Sequence, residues 1–259
     1  MASIDNFSIA HSMIERDDHD GSTPSLREEV ARAIYDVQVK GARALVDKYD
    51  FQLDRIKRVF GVLVSETDRS LAILLFALAE DFMLNGLEFN MKENCPVGWE
   101  SATSGNGVLA TAQDRISILE LLAWITPVVA AQLRLMKSIR NRFAHHADVN
   151  DFEDEKIIGW ISTMWPADKP VFELIPKYSW TEFPRISTRQ KFLIRGTTAI
   201  LMMVTNIAVM PAARAFKVSP KDVEGGGVFD NFPEQLKELH GIVADVAITC
   251  LPKDLLGSD

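Results

Sequence analysis

Two long apolar segments constrain the fold of this chain more than any other feature of its sequence. Residues 71–87 are apolar nearly all round a helix, and residues 197–213 form the longest apolar run. A helix that is apolar on every side is usually buried at the centre of a bundle. The second run contains Asn206 and Pro211 and follows Arg195, so it is short and polar for a membrane span, which needs about 20 mainly apolar residues. We therefore expect two buried core helices in a cytoplasmic protein that does not enter a membrane.

Apolar residues elsewhere recur every three or four positions, which is the period of a helix, and alternating strand patterns are scarce. Capping residues near Ser65 predict a break in one long helical region, and Pro127 is typical of a first helical turn. Residues 94–106 and the proline-rich stretch 165–183 are predicted to be irregular. The pattern predicts an all-α fold, with helices over residues 25–49, 53–91, 109–125, 127–146, 151–164, 186–216 and 233–251. In the helix over 151–164, we expect Ile157, Ile158 and Ile161 to face inward.

Composition divides the 259 residues into three parts. Residues 1–24 are polar and are predicted to be a disordered tail. Residues 25–220 are expected to form one helical bundle domain, since a chain of this length can bury a substantial core. Residues 221–259 contain three consecutive glycines, at positions 225–227, and are predicted to be a flexible linker followed by a C-terminal helix.

Charge and cysteine content argue against several classes of function. The formal net charge of −8 and pI near 5.2 lack the basic footprint that duplex DNA requires, which argues against direct sequence-specific DNA binding. The two cysteines, Cys95 and Cys250, are far apart and have no ligand-like spacing. We therefore expect no metal, no cofactor and no disulfide framework.

The strongest chemical signal is the segment 138–146 (Ser-Ile-Arg-Asn-Arg-Phe-Ala-His-His). The forked guanidinium of Arg140 is suited to binding phosphate. A histidine side chain is suited to general acid or base catalysis, so His145 is the candidate proton carrier, with Asn141 as the orienting group. These three residues are the candidate catalytic set for metal-independent RNA cleavage. On an ideal helix Asn141 and His145 share a face, whereas Arg140 and His145 point about 140° apart.

A purely structural role explains the same residues. Cations are favoured at a helix C-terminus by the helix dipole, and the acidic residues that follow can neutralise them. Charges in apolar surroundings are expected to be paired. We therefore expect a structural ion network of Arg69, Glu80, Asp68 and Arg115, in which Glu80 has Arg140 as a candidate partner.

Three segments in order resemble the mannitol operon repressor family of bacterial proteins. They are residues 65–69 (Ser-Glu-Thr-Asp-Arg), residues 107–109 leading to 114–116 (Asp-Arg-Ile), and residues 136–145, which end in Ile-Arg-Asn-Arg-Phe-Ala-His. They match the family's acid-x-Asp-Arg start, its glycine loop before an Arg-Ile helix, and its Ile-Arg-Asn-x-Phe-Ala-His end. The resemblance covers residues 53–160, and it implies a regulator of sugar-uptake genes that lacks a helix-turn-helix and acts through protein partners.

The last segment is also similar to the Arg-polar-x-x-x-His signature of the HEPN superfamily (higher eukaryotes and prokaryotes nucleotide-binding). That resemblance implies a HEPN-like helical bundle, here with N- and C-terminal helical extensions, and a homodimer that pairs its motifs. Many members are metal-independent endoribonucleases, which makes RNA a candidate partner and Arg140, Asn141 and His145 the catalytic set. Two hypotheses therefore stay open: a regulatory or interaction protein, and an endoribonuclease. Whether the chain is an enzyme is left undecided by the residues.

Overall fold

The computed structural model of the protein describes residues 26–167, 185–224 and 234–250, and over those ranges it is helical and contains no β-strand. The predicted all-α fold is confirmed. The predicted tail, most of the proline-rich stretch and the glycine linker lie outside the described residues. The helices are α1 (Leu26–Val46), α2 (Leu53–Leu63), α3 (Asp68–Met91), α4 (Trp99–Thr103), α5 (Ala112–Leu121), α6 (Pro127–His145), α7 (Glu155–Thr163), α8 (Thr188–Phe216), α9 (Pro220–Glu224) and α10 (Glu234–Thr249), and a 3-10 turn spans Lys92–Asn94.

Local capping chemistry sets where several helices begin. The Thr67 side chain accepts a hydrogen bond from a backbone N–H in the first turn of α3, so the predicted break between α2 and α3 is confirmed. Thr111 and Asp114 form a capping box at α5, which therefore begins later than the predicted residue 109. Pro127 is the first residue of α6, as predicted, because its missing N–H would have no partner there in any case.

Helix α8 is the centre of the bundle. Most of its residues from Phe192 to Ala213 are buried, and it packs against α1, α3, α6 and α10. Helix α3 is its main apolar neighbour, with buried side chains along its length from Leu71 to Leu87. Both segments predicted to be core helices therefore lie in the core. Helix α8 is buried on nearly every side, whereas α3 keeps one exposed side, on which Leu74 is 40% exposed.

Two glycines allow α3 and α8 to approach closely. A β-carbon added at Gly86 of α3 would lie 2.3 Å from Cγ2 of Ile207, and one at Gly196 of α8 would lie 2.6 Å from Cδ2 of Leu75. Both distances are far shorter than carbon atoms tolerate, so a side chain at either position would force the buried side chain of Ile207 or Leu75 to move. Each helix thus supplies one glycine to the contact, and the pair fixes the spacing of the core.

A proline inside α8 leaves one carbonyl without its helical donor. Pro211 has no N–H to give to the carbonyl of Ile207 four residues earlier. Asn90 of α3 supplies a replacement, since its Nδ2 lies 3.5 Å from that oxygen and 2.9 Å from the carbonyl of Gly86. The interior proline is therefore accommodated by a polar side chain from the neighbouring core helix.

Arginines of α8 bind the C-terminal ends of three other helices. The last four carbonyls of an α-helix have no partner within the helix, and their partial negative charge favours a cation. Arg189, Arg195 and Arg214 each donate to such carbonyls and so join α8 to a neighbour by polar as well as apolar contact. The bonds run from Arg189 to Leu63 (3.3 Å) and Val64 (3.2 Å) after α2, from Arg195 to Ile161 (2.7 Å) in α7, and from Arg214 to Leu122 (2.8 Å) after α5.

Two stretches are long and apolar enough to cross a membrane by length and composition alone. They are Asp68–Asn94 and Thr188–Phe216, and 56% and 83% of their most apolar windows are buried inside the protein. Burial of this kind is also what core helices of soluble proteins show, so the hydropathy of these stretches is weak evidence for a membrane span.

One prediction about side-chain direction was wrong. In α7, Ile157 and Ile161 are buried as expected, but Ile158 is 38% exposed. The reason is the helical period: residues 157 and 161 are four apart and share a face, whereas 158 is turned by about 100° from 157. Of the two neighbouring isoleucines in the first turn of this helix, only Ile157 therefore faces the core.

Candidate functional site

Helix α6 carries most of the segment 138–146, which contains the candidate catalytic residues. One side of this helix is buried in the core. Val129, Met136, Ile139 and Phe143 are fully buried. The chain leaves the helix after His145, where the exposed residues 146–148 begin the loop that leads to α7. The polar residues of the segment are thus placed on the rim of the bundle, while its apolar residues anchor it.

The loop after α6 is fixed to the bundle by contacts among three aromatic rings and by hydrogen bonds from an arginine. The ring of Phe143 lies 5.1 Å from that of Phe152, which in turn lies 5.1 Å from Phe192 of α8. Arg69 of α3 donates to three carbonyls of the loop, those of His146 (3.1 Å), Ala147 (3.1 Å) and Val149 (2.7 Å). Because both its apolar and its polar groups are bound, this loop is a fixed frame for the side chains beside it.

The polar side of α6 and the start of α7 enclose a shallow hollow of about 340 Å³. Its lining combines an amide, imidazoles, two cationic side chains and an indole. His145, His146 and Lys156 are exposed, and Trp160 is half-buried. The lining residues are Ser138, Asn141, Arg142, His145, His146, Lys156 and Trp160.

An ion pair joins the two helices at the base of this hollow. Arg142 Nη2 lies 2.8 Å from Oδ2 of Asp154, and both side chains are largely buried, at 16% and 17% exposure. Asp154 is also the N-cap of α7, its Oδ1 accepting from the backbone N–H groups of Lys156 and Ile157. The hydrogen bond from Arg142, with those backbone bonds, lowers the pKa of the Asp154 carboxyl below its ordinary value of 3.8.

The structure brings two of the three candidate catalytic residues into the hollow. Asn141 and His145 both line it, as expected for residues four apart on one helix face. Arg140 does not line it; its Nη1 donates to Oδ1 of Asn141 at 3.0 Å. Within one chain, Arg140 is therefore connected to the hollow through the amide of Asn141 and does not share its surface with His145.

The four residues expected in one ion network take part in separate contacts. Asp68 pairs with Arg189 at 2.9 Å and also accepts from the backbone N–H of Phe152 at 3.1 Å. Arg69 binds the loop carbonyls described above, and Arg115 donates to the carbonyls of Leu109 (2.9 Å) and Ala110 (3.3 Å).

Glu80 is half-buried on α3. Among the described ranges its side chain has no hydrogen bond or ion pair, with Arg140 or with any other residue. The expected network therefore resolves into separate contacts: Asp68 pairs with Arg189, whereas Arg69 and Arg115 donate to backbone carbonyls.

Several residues important to the site were missed in the sequence. Lys156 and Trp160 belong to α7, and only their proximity in the fold places them beside α6. Asp154 belongs to the acidic run that was expected to neutralise the basic end of α6, and its ion pair with Arg142 agrees with that expectation. A capping aspartate before a helix is a recognisable signal for Asp154, but its pairing with Arg142 depends on how the two helices pack. Arg189 gave no signal, because its partner Asp68 lies 121 positions away.

Side chains of the kinds that most often bind metals or act as nucleophiles are present among the described residues. Within residues 26–167, 185–224 and 234–250, no group of three or more His, Cys, Asp or Glu side chains is arranged to hold a metal ion. Both cysteines are free, Cys95 half-buried and Cys250 buried, and desolvation raises the pKa of the Cys250 thiol to about 11. A thiol with a raised pKa is a poor nucleophile at neutral pH.

Comparisons with models of protein families, with curated proteins and with solved structures find no match for this chain. The resemblance to the mannitol operon repressor family is carried by its three sequence segments. Asp68 and Arg69 of the first segment bind the backbone of Phe152 and the loop that follows the last segment. The remaining segment lies on α5, which joins α6 through the hydrogen bond from Lys137 to Gln113 at 3.0 Å.

The ion pair at the base of the hollow predicts a specific acid sensitivity. Because the pKa of Asp154 is lowered by folding, its contribution to stability is complete above pH 3.8 and is lost as pH falls through the lowered pKa. Asp154→Asn keeps a good N-cap but removes the charge. We expect the variant to be less stable than wild type at neutral pH, and the difference in free energy of unfolding to shrink as pH falls below 3.8.

Denaturant unfolding across this pH range measures the difference. Asp151→Asn is the matched control, since Asp151 is an exposed aspartate of the same loop. Among the residues that the structure describes, its carboxylate accepts a hydrogen bond only from the backbone N–H of Glu153. A gap between wild type and Asp154→Asn that is constant with pH would contradict the assignment, as would an equal gap for Asp151→Asn.

Proposed function

We propose that this protein is a cytoplasmic regulator of the mannitol-operon-repressor type, which acts by binding a protein partner at the α6–α7 hollow. The observation that carries the proposal is the hollow itself: His145, His146, Lys156 and Trp160 are presented on a loop and helix that Arg69 and the Arg142–Asp154 pair hold in place. Aromatic and cationic side chains on a rigid frame are typical anchors of protein interfaces, because little conformational entropy is lost on binding.

The chemistry of the hollow indicates what kind of partner it fits. Lys156 and the imidazoles can donate to carboxylates, and the indole of Trp160 offers an apolar contact. A protein segment that combines an acidic and an apolar side chain matches both. A long polyanion is disfavoured, because the chain carries a net charge of −8 and acidic residues border the hollow.

Charge reversal in the hollow tests this function. Lys156→Glu places an acidic residue in the first turn of α7, where the helix dipole favours it, so folding should be unaffected. We expect partner binding to weaken at least about tenfold, because the new carboxylate repels an acidic segment. The measurement is affinity capture of the partner from the source cells, followed by titration of the purified pair.

Lys48→Glu is the matched control, because Lys48 is also exposed and lies outside the hollow. It should bind the partner like wild type. A wild-type chain that captures no stable protein partner, together with tight sequence-specific binding of operator DNA by the isolated chain, would contradict the proposal.

A second function, metal-independent cleavage of RNA, is favoured by one observation. Asn141 and His145 share the hollow, and Asn141 is bonded to Arg140. In this reaction His145 would take the proton of a 2′-hydroxyl, whose oxygen attacks the adjacent phosphorus as the bond from phosphorus to the 5′-oxygen breaks. The leaving 5′-oxygen would take a proton from solvent water. The products are a 2′,3′-cyclic phosphate and a free 5′-hydroxyl. Arg140 would stabilise the negative charge on the non-bridging phosphoryl oxygens, from its own chain or from a second copy.

Incubation with single-stranded and structured RNA in EDTA tests the nuclease function. If it operates, wild type yields products that end in cyclic phosphate, and His145→Ala abolishes them because the proton acceptor is gone. His146→Ala is the matched control, since the neighbouring imidazole also lines the hollow but is outside the proposed catalytic set. Absence of cleavage by wild type at every protein-to-RNA ratio would eliminate this second function.

A further inference from the structure

Helix α1 is apolar on two opposite sides. Its inner side buries Ala42 and Val46 against the bundle. Its outer side exposes Leu26 (76%), Val30 (50%) and Val37 (69%), with Ile34 (52%) beside them. Single exposed apolar residues are ordinary on a protein surface, but a row of them along one helix marks an interaction surface.

The outer row has the spacing of a helix–helix seam. Leu26, Val30, Ala33, Val37 and Ala44 follow one another at intervals of four, three, four and seven residues, and all five are exposed. This alternation of four and three is the heptad pattern by which two helices pack side by side. We call this row of five residues the α1 seam.

Four exposed charged residues flank the α1 seam on one side, and their signs alternate. In chain order they are Glu29, Arg32, Asp36 and Lys40, and each is exposed. On an ideal helix all four lie within about 80° of one another, between the seam and the inner side. A fifth charged residue of this flank, Arg43, is half-buried and donates to the carbonyl of Asp222. The opposite flank, which carries Arg27, Ala31 and Gln38, offers no such alternation.

The charge pattern of this flank matches a second copy of the same flank that runs in the opposite direction. In an antiparallel pair related by a two-fold axis, the same flank of both helices lies on the same side of the interface. Glu29 then faces Lys40 of the second copy, and Arg32 faces Asp36 of the second copy. The same register places Val30 opposite Val37 and Ile34 opposite its own equivalent. A parallel pair would set this flank against the other one, where Arg27 is the one charged residue of α1, so the alternating charges would not be matched.

We propose that the α1 seam is a homodimer interface, in which α1 pairs antiparallel with α1 of a second copy of this chain. The seam involves neither α6 nor α7, so the proposal does not depend on the proposed function. A helix of 21 residues is about 32 Å long, and one helix pair buries less than the roughly 1,200 Å² of a standard stable interface. The dimer should therefore be reversible, with a dissociation constant on the order of micromolar.

Sedimentation equilibrium of the full chain over a range of concentrations is the test. Wild type should show a monomer–dimer equilibrium, and Val37→Glu should be monomeric because it places a carboxylate at the centre of the seam. Leu121→Glu is the matched control: Leu121 is an apolar residue that is 80% exposed on α5, and its substitution should leave the equilibrium unchanged.

Charge exchange tests the antiparallel register. Glu29→Lys alone and Lys40→Glu alone should each raise the dissociation constant about tenfold, because each sets like charges opposite one another twice per dimer. The double variant Glu29→Lys with Lys40→Glu should restore it. Failure of the double variant to recover would overturn the antiparallel arrangement.

Two results would overturn the interface as a whole. One is a dimer that persists unchanged in Val37→Glu. The other is a wild type that is monomeric at every concentration. If deletion of residues 1–25 then allowed dimerisation, the N-terminal segment of the same chain would be the occupant of the seam.

Discussion

The unpaired carbonyls at helix C-termini, and the arginines that bind them, are the interaction on which this bundle depends. Every helix leaves its last carbonyls without a partner, and burying such groups is costly unless a donor reaches them. Arg189, Arg195 and Arg214 of α8 and Arg69 of α3 each bind the end of another helix. A guanidinium suits this role because it is always charged and offers several donors in one plane. The two core helices therefore fix their neighbours by polar contacts as well as by apolar packing.

This arrangement explains how a surface suited to recognition is built on an otherwise ordinary helical core. Gly86 and Gly196 allow α3 and α8 to approach closely. This approach sets the relative position of the two helices that carry these arginines. Arg69 then fixes the loop after α6, and Arg195 fixes the end of α7. The hollow between α6 and α7 is formed by side chains on those two elements, so its shape depends on contacts made well behind it.

The sequence predicted features that depend on neighbouring residues, such as helices and their caps. It did not predict contacts between residues that are far apart in the chain. Helix periodicity and caps such as Thr67 and Pro127 predicted the all-α fold and most boundaries, because these signals act within one or two turns. The same geometry predicted that Asn141 and His145 share a face that excludes Arg140. The charged residues of α3 and α5 were expected to pair with one another, yet Arg69 binds carbonyls of a loop about 80 positions away. Backbone carbonyls carry no sequence signature, so such contacts are visible only in the fold.

Removal of the buried guanidinium of Arg195 tests this account most directly. Arg195→Met keeps the apolar stem but leaves the carbonyl of Ile161 without this donor, and a hydrogen bond to a charged group contributes roughly 1.5–3 kcal/mol. Hydrogen exchange of the α7 amides should quicken about tenfold or more relative to those of α5, whereas Arg58→Met, at an exposed position of α2, should change neither helix. Equal exchange of α7 in the two variants would contradict the claim that arginine contacts with helix ends hold this bundle together.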